Sequence, residues 1–152
     1  MPDVVIADTS CLILLYKIDE LDLLCQLYGK VIITQDVANE FIHRVPDWIE
    51  ISQDVDKQLQ ALLELELDKG EASSISLALK IRNATLILDD LKARKVADKL
   101  ELIYTGTFGM IVKSKLAGII ESVKPIIVKI KGTNFRISEK IIEETLREAG
   151  ER

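Results

Sequence analysis

Five carboxylates lie where an alternating α/β chain places its reactive groups. Asp8 follows the apolar, β-branched run Val4-Val5-Ile6-Ala7, which reads as a buried parallel strand with both faces covered. Asp89 and Asp90 follow Thr85-Leu86-Ile87-Leu88, the next clearest strand. Glu71 opens a helical stretch directly after Gly70, and Glu40 sits about a turn and a half into the helix after a second strand, Val31-Ile32-Ile33. Ligands in open α/β sheets bind just beyond the carboxyl ends of the strands. Oxygen ligands of this kind suit hard cations such as Mg²⁺ or Mn²⁺. Carboxylates brought together repel one another unless a cation sits between them. Two such ions about 3.5–4 Å apart can activate a water and stabilise the leaving oxygen of a phosphodiester. Each acid alone is equally well explained by the bland alternative. Asp8, Asp89 or Asp90 could cap the helix that follows, Glu71 could favour a helix N-terminus, and Glu40 could be a solvated side chain. Only their joint placement favours a metal site.

Other chemistries lack their residues. There is no GxxxxGK[ST] loop and no GxGxxG fingerprint. His43 is the only histidine, and it falls on a helix pattern with no Ser or Cys elbow nearby, which disfavours Ser-His-Asp and Cys-His enzymes. One histidine and two cysteines in helix patterns do not make a closed zinc site. Cys11 and Cys25 read as reduced core residues, as expected in the cytoplasm. No apolar run approaches the roughly 20 residues of a membrane span, and Asp3 and Asp8 interrupt any secretory leader.

Charge is uneven along the chain. Met1 to Asp90 carries 17 acids and 7 bases, Leu91 to Arg136 carries 3 acids and 10 bases, and the remainder carries 5 acids and 3 bases, within an overall charge of −5. A carboxylate-rich half beside a cationic stretch fits a metal site next to a phosphate-binding surface. For any single Lys or Arg, a solvated helix face is the simpler account.

The elements that must position these groups follow in order. Leu12, Leu15, Ile18, Leu21 and Leu24 recur at helical spacing, with a break near Lys17–Glu20 and a closing Gly29. Thr34 or Gln35 opens a helix with Val37, Phe41 and Ile42 inward, ended by Pro46. Trp48 to Ile51 reads as a short edge strand. Ser52 or Asp54 caps a helix striped by Val55, Leu59, Leu62, Leu63 and Leu67, broken at Asp68-Lys69-Gly70. A helix from Glu71 to Ile81 turns Ala72, Ile75, Ala78 and Leu79 to the core. After the Thr85–Leu88 strand come a helix from Leu91 to Leu100, a strand over Leu102–Tyr104, and a helix from Phe108 to Leu116 that Gly118 ends. Pro125 to Ile130 is ambiguous between helix and strand. Ser138 caps a last helix whose face is Ile141, Ile142, Thr145 and Leu146. At 152 residues and 48% hydrophobic, the chain suits one domain. The alternation of elements implies a parallel sheet covered on both sides.

VVIADTSCLILLYKID, VIITQDVANEF, KGEASSISLALK and LILDDLKARKVAD together resemble the successive acidic motifs of PIN-domain ribonucleases, from Val4 to about Leu116. The closing GTNFRISEKIIEETLREAG resembles the tail of the VapC-like toxin branch. The resemblance implies a three-layer α/β/α sandwich around a short parallel sheet, forming a single PIN-like domain over 1–152 with 122–152 a C-terminal helical extension packed on it. It implies an RNA-cleaving hydrolase using one or two Mg²⁺ or Mn²⁺ ions. Asp8, Glu40, Glu71 and Asp90 match the family's acids, with Asp89 a second candidate beside Asp90, and Ser10 falls where a small polar residue often accompanies the first acid. Where many members carry a further acid, Lys92, Arg94 and Lys95 stand here, and the next acid is Asp98. That departure implies one firmly held metal, a second that arrives with substrate, and an RNA backbone met by the basic residues between Lys92 and Lys115. Implied partners are RNA, a cognate antitoxin and a second copy in a homodimer. A catalytically silent relative that binds nucleic acid or a protein partner is the alternative. A phosphotransfer enzyme with Asp8 as nucleophile is weaker, because Ser10 stands where that chemistry usually wants a second acid.

Overall fold

The computed structural model describes residues 4–152; Asp3, used above against a leader, lies outside them. Among the described residues five strands form one parallel sheet: β1 (Val4–Ala7), β2 (Val31–Thr34), β3 (Ile49–Ser52), β4 (Ala84–Ile87) and β5 (Ile103–Thr105). Their spatial order is β3-β2-β1-β4-β5. The chain therefore builds outward from β1 in one direction, then crosses to build β4 and β5 in the other. The reversal lies between β1 and β4, whose four residues pair throughout, from Val4 with Ala84 to Ala7 with Ile87. In such sheets the crevice outside the carboxyl ends opens at this switch point. Asp8 and the Asp89-Asp90 pair leave the sheet on its two sides.

Helices cover both faces, giving the three-layer α/β/α arrangement. Alternation along β1 assigns the faces. Val5 and Ala7 join a core with residues of α1 (Thr9–Lys17), α2 (Asp22–Tyr28), α3 (Gln35–Phe41) and α7 (Thr107–Leu116). Ile6 joins a second core with α5 (Lys69–Lys80) and α6 (Leu91–Lys99), which α4 (Lys57–Leu63) leads into. The ambiguous Pro125 stretch is helical: α8 (Lys124–Lys131) carries its proline in the first turn, where a missing N–H costs nothing. Ile126, Ile127 and Ile130 of α8 and Ile142 of α9 (Glu139–Glu148) belong to the first core.

Several local expectations give way to tertiary context. Ile42 does not point inward; it ends α3 in the left-handed region at φ 60° and is 80% exposed. His43 therefore lies beyond the helix, stacked on Tyr16 at 4.0 Å between ring centres. Asp56, rather than Ser52 or Asp54, caps α4 by accepting from the Gln58 and Leu59 N–H groups. That helix is short, and Leu62 faces solvent. In α5 Leu77 is buried while Leu79 is partly exposed, and in α9 Ile141 is exposed beside the buried Ile142 and Thr145. Cys11 is buried, Cys25 is half-buried, and both thiols are free.

Candidate active site

The site is built where four element ends meet. Asp8 is the residue between β1 and α1, and it is 3% exposed. It holds the N-cap position of α1, but its side chain makes no capping hydrogen bond. Its Oδ1 is buried and has no hydrogen-bond partner. A lone buried carboxylate oxygen is costly, and burial is the main reason its pKa is pushed up to about 7, with Glu71, Asp68 and Glu40 adding repulsion and the Thr9 N–H opposing it.

Glu71 reaches the cluster from the first turn of α5. The helix begins two residues earlier than the sequence pattern indicates, because Asp68 caps it. Asp68 Oδ1 accepts from the Glu71 N–H at 2.8 Å and Glu71 Oε1 accepts from the Asp68 N–H at 3.3 Å, a reciprocal capping box. Glu71 is also pushed up to about 7, by burial first and then by Asp68, Asp90 and Glu40. Its second oxygen takes no part in the box.

Glu40, exposed on α3, is held by two neighbours. Thr9 Oγ1 donates to its Oε1 at 2.5 Å and the Gly70 N–H donates to its Oε2 at 3.3 Å. The absence of a side chain at Gly70 lets this contact form, since an added Cβ would push Glu40 Oε1 aside and lie 2.9 Å from Thr9 Oγ1. Below them, Thr34 Oγ1 caps α3 and shares a 2.7 Å hydrogen bond with Ser73 Oγ, which donates in turn to the Gly70 carbonyl. The ends of β2, α3 and α5 are thus tied together under the acids.

Asp89 and Asp90 part ways. Asp90 caps α6 through Oδ2, which accepts from the Ala93 N–H at 2.9 Å, and it is the one of the pair that acts on Glu71. Asp89 turns to the next connection. Its Oδ1 accepts from the Thr107 N–H at 2.8 Å and its Oδ2 from Thr107 Oγ1 at 2.6 Å. Arg94 adds a 4.0 Å ion pair to Asp89, donates through Nε to the Leu88 carbonyl at 2.7 Å, and lies over the Tyr104 ring. A Cβ on Gly106 would collide with the Arg94 guanidinium. Asp89 and Arg94, which the sequence marks as a metal ligand and a phosphate contact, are thus engaged in joining β4, α6 and α7. Lys92 and Lys95 are exposed. Lys115, at the end of the basic stretch, is engaged elsewhere, donating to the Ala149 carbonyl at 2.7 Å. Ser10 is exposed and lines a separate cleft.

Asp8, Glu40, Glu71 and Asp90 therefore form one electrostatic cluster, with Asp68 a fifth member. The D-x-x-E spacing of a capping box signals Asp68 in the sequence. Among the described residues no three Asp, Glu, His or Cys side chains stand together as a ready cage for an ion, Glu40, Glu71 and Asp90 each being drawn to a nearby N–H or O–H. The donor set nevertheless fits a hard cation. Asp8 offers an orphan buried oxygen, and Glu71 and Asp90 each have an oxygen outside their capping bonds.

A parallel α/β/α sandwich with an acid cluster at its switch point is the nuclease-type PIN fold. The family model DUF3368, described as a PIN domain, matches residues 4–151, and the chain belongs to that family. PIN domains are generally nucleases that use divalent metals. No curated protein and no solved structure matches the chain.

Proposed function

We propose that this protein is a Mg²⁺- or Mn²⁺-dependent endoribonuclease, the toxin of a toxin–antitoxin pair. The observation that carries the reading is the partnerless buried oxygen of Asp8 beside three further carboxylates at the β1/β4 switch point. Asp8, Glu71 and Asp90 would hold the metal. Glu40 adds negative charge while keeping Thr9 and Gly70 in place. One or two ions would supply a water of lowered pKa and a counter-charge for the leaving oxygen. The protein's own part is to fix the carboxylates on four separate element ends and keep Asp8 away from bulk water. No side-chain nucleophile is needed. The exposed Lys92 and Lys95 on α6, next to Asp90, would meet the RNA backbone.

The toxin role is supported by the resemblance of the C-terminal segment to VapC-like tails and by apolar surface left uncovered beside α4. Leu62 and Leu65 are 65% and 81% exposed and would be open to a homodimer mate or antitoxin. No helix among the described residues is long and apolar enough to cross a membrane.

The test is cleavage of a mixed single-stranded RNA with Mn²⁺ or Mg²⁺ by the wild type and by Asp8→Asn. Metal-dependent cutting that the folded variant loses by at least about 100-fold is expected, since removing one group on which developing charge depends costs on that order. Cutting that survives the change would move the activity away from this cluster. Failure of both proteins to cut or to bind metal would favour a silent, partner-binding relative.

A further inference from the structure

The segment joining α8 to α9, residues 132–138, borders two clefts. One is lined by Ser10, Lys17, Asn134, Phe135 and Arg136 among others, about 330 Å³ in volume. The other, about 440 Å³, is lined by Asp89, Arg94, Phe108, Phe135, Arg136 and Glu144 among others. Phe135 and Arg136 are thus common to both. Ser10, two residues along the chain from Asp8, lines the first cleft, and Asp89, next to Asp90 in sequence, lines the second.

The segment is built rather than loose. Lys17 Nζ donates to Asn134 Oδ1 at 3.2 Å, which ties it to α1. Thr133 Oγ1 accepts from the Phe135 N–H at 3.1 Å and donates to the Ile130 carbonyl at 2.7 Å. Yet Phe135 is 36% exposed and belongs to neither core, and Arg136 is exposed with no hydrogen bond or ion pair among the described residues. The ring and the unpaired guanidinium stand side by side on a braced turn where both clefts meet.

The lining chemistry selects the occupant. The larger cleft combines the Phe108 and Phe135 rings with the carboxylates of Glu144 and Glu148, Asp89 being held by Thr107. Those acids would repel a phosphate inside the cleft. A nucleobase offers a π-face to the rings and N–H donors to the carboxylates. Arg94, which also lines this cleft, is taken up by the Leu88 carbonyl, Asp89 and Tyr104; the guanidinium left free is that of Arg136, common to both clefts, and the sugar–phosphate chain would run past it. We propose that this cleft is a base-binding subsite for the RNA strand, with one unpaired base stacked on Phe135 and the adjacent phosphate held by Arg136. The proposal rests on the ribonuclease reading and adds to it the site that reads the strand beside the cut. A stacked aromatic and an arginine are how proteins take single-stranded nucleic acid.

The experiment measures binding of a short fluorescent single-stranded RNA in the Asp8→Asn background, where it is not cut, across a salt series. Phe135→Ala should bind about 5- to 150-fold more weakly, the range for losing one base–aromatic stack. Phe135→Trp should bind like the parent. Arg136→Ala should lower the slope of log affinity against log salt by about 0.7, the value for one phosphate on a single strand. In the cutting enzyme, Phe135→Ala should raise KM with kcat little changed, as loss of uniform binding does, whereas a general loosening of the site would lower kcat. If Phe135→Ala melts early, Phe135→Leu, which keeps bulk without the ring, carries the same comparison. A parent that binds and cuts RNA while Phe135→Ala and Phe135→Leu do so equally well would overturn the subsite, leave the nuclease standing and return the cleft to a protein partner. A parent that neither binds nor cuts RNA would sink the ribonuclease reading, and the subsite with it.

Discussion

Asp8 occupies a helix N-cap position and caps nothing. A carboxylate serving only the helix would turn to the first N–H groups of α1, and this one leaves Oδ1 buried and unpaired instead. The consequence is a pH dependence of stability. Burial raises the folded-state pKa of Asp8 from 3.8 to about 7, so its contribution is fully present below about pH 4, where both folded and unfolded chains are protonated, and is lost as pH rises through 7. Metal-free protein should therefore lose stability between about pH 4 and pH 7, by a few kcal/mol at most. Glu71, also raised to about 7, contributes to the same fall, so Asp8→Asn should reduce it without abolishing it, and added Mg²⁺ should reverse it by favouring the charged forms. Thermal melts across pH, with EDTA and with Mg²⁺, read all three effects. A wild-type melting curve no more pH-sensitive than that of Asp8→Asn would show that Asp8 is not the strained group.

Between elements, the Asp89-Thr107-Arg94 set decides how β4, α6 and α7 meet. Both Asp89 oxygens are taken by Thr107, and Arg94 is clamped between the Leu88 carbonyl, Asp89 and Tyr104. Asp89→Asn keeps the shape, but its amide nitrogen cannot accept one of the two hydrogen bonds. It should cost about 1–3 kcal/mol in a denaturant titration, as a half-buried donor left unpaired does, while metal binding, judged by the shift of the melting temperature with Mn²⁺, persists. Asp90→Asn should behave the other way, with a smaller stability loss and a weaker metal-induced shift. A metal-induced shift lost equally in both variants would mean that the two acids share one role.

At the scale of the molecule, the C-terminal helices are part of the same hydrophobic body as the sheet. Ile126, Ile127, Ile130 and Ile142 lie in the core that also holds Val5 and Ala7 of β1. Ile130 is fully buried, so Ile130→Ala should destabilise the whole protein by about 2–5 kcal/mol in a single cooperative transition. A separate early transition confined to α8 and α9 would instead mark them as an independent appendage.

The local sequence determined the strands, the central helices and the acids. Four β-branched or apolar residues ending on Asp8 and the strand ending before Asp89-Asp90 are short-range patterns, and short-range patterns are read residue by residue; the D-x-x-E box at Asp68 and Glu71 is equally local, but in the sequence Asp68-Lys69-Gly70 reads as a break. Asp8 and Asp90 stand out in the sequence because each follows a strand, and Glu71 because it follows Gly70; Glu40 lies near the end of α3 and carries no such mark. The edges of that reading failed where neighbours in sequence are not neighbours in space. Ile42 looks like core until the chain turns left-handed beneath it. Asp89 and Asp90 are chemically identical side by side, and only the arrival of Thr107 after β5 draws Asp89 away. Arg94 reads as a free cation until Leu88 and Tyr104 fold against it. Only the tertiary structure sets the strand order, with β1 beside β4, so that the residues after both strands, Asp8 and Asp89-Asp90, leave the sheet at neighbouring positions. Pairing across many tens of residues is set by long-range packing, which no local pattern encodes.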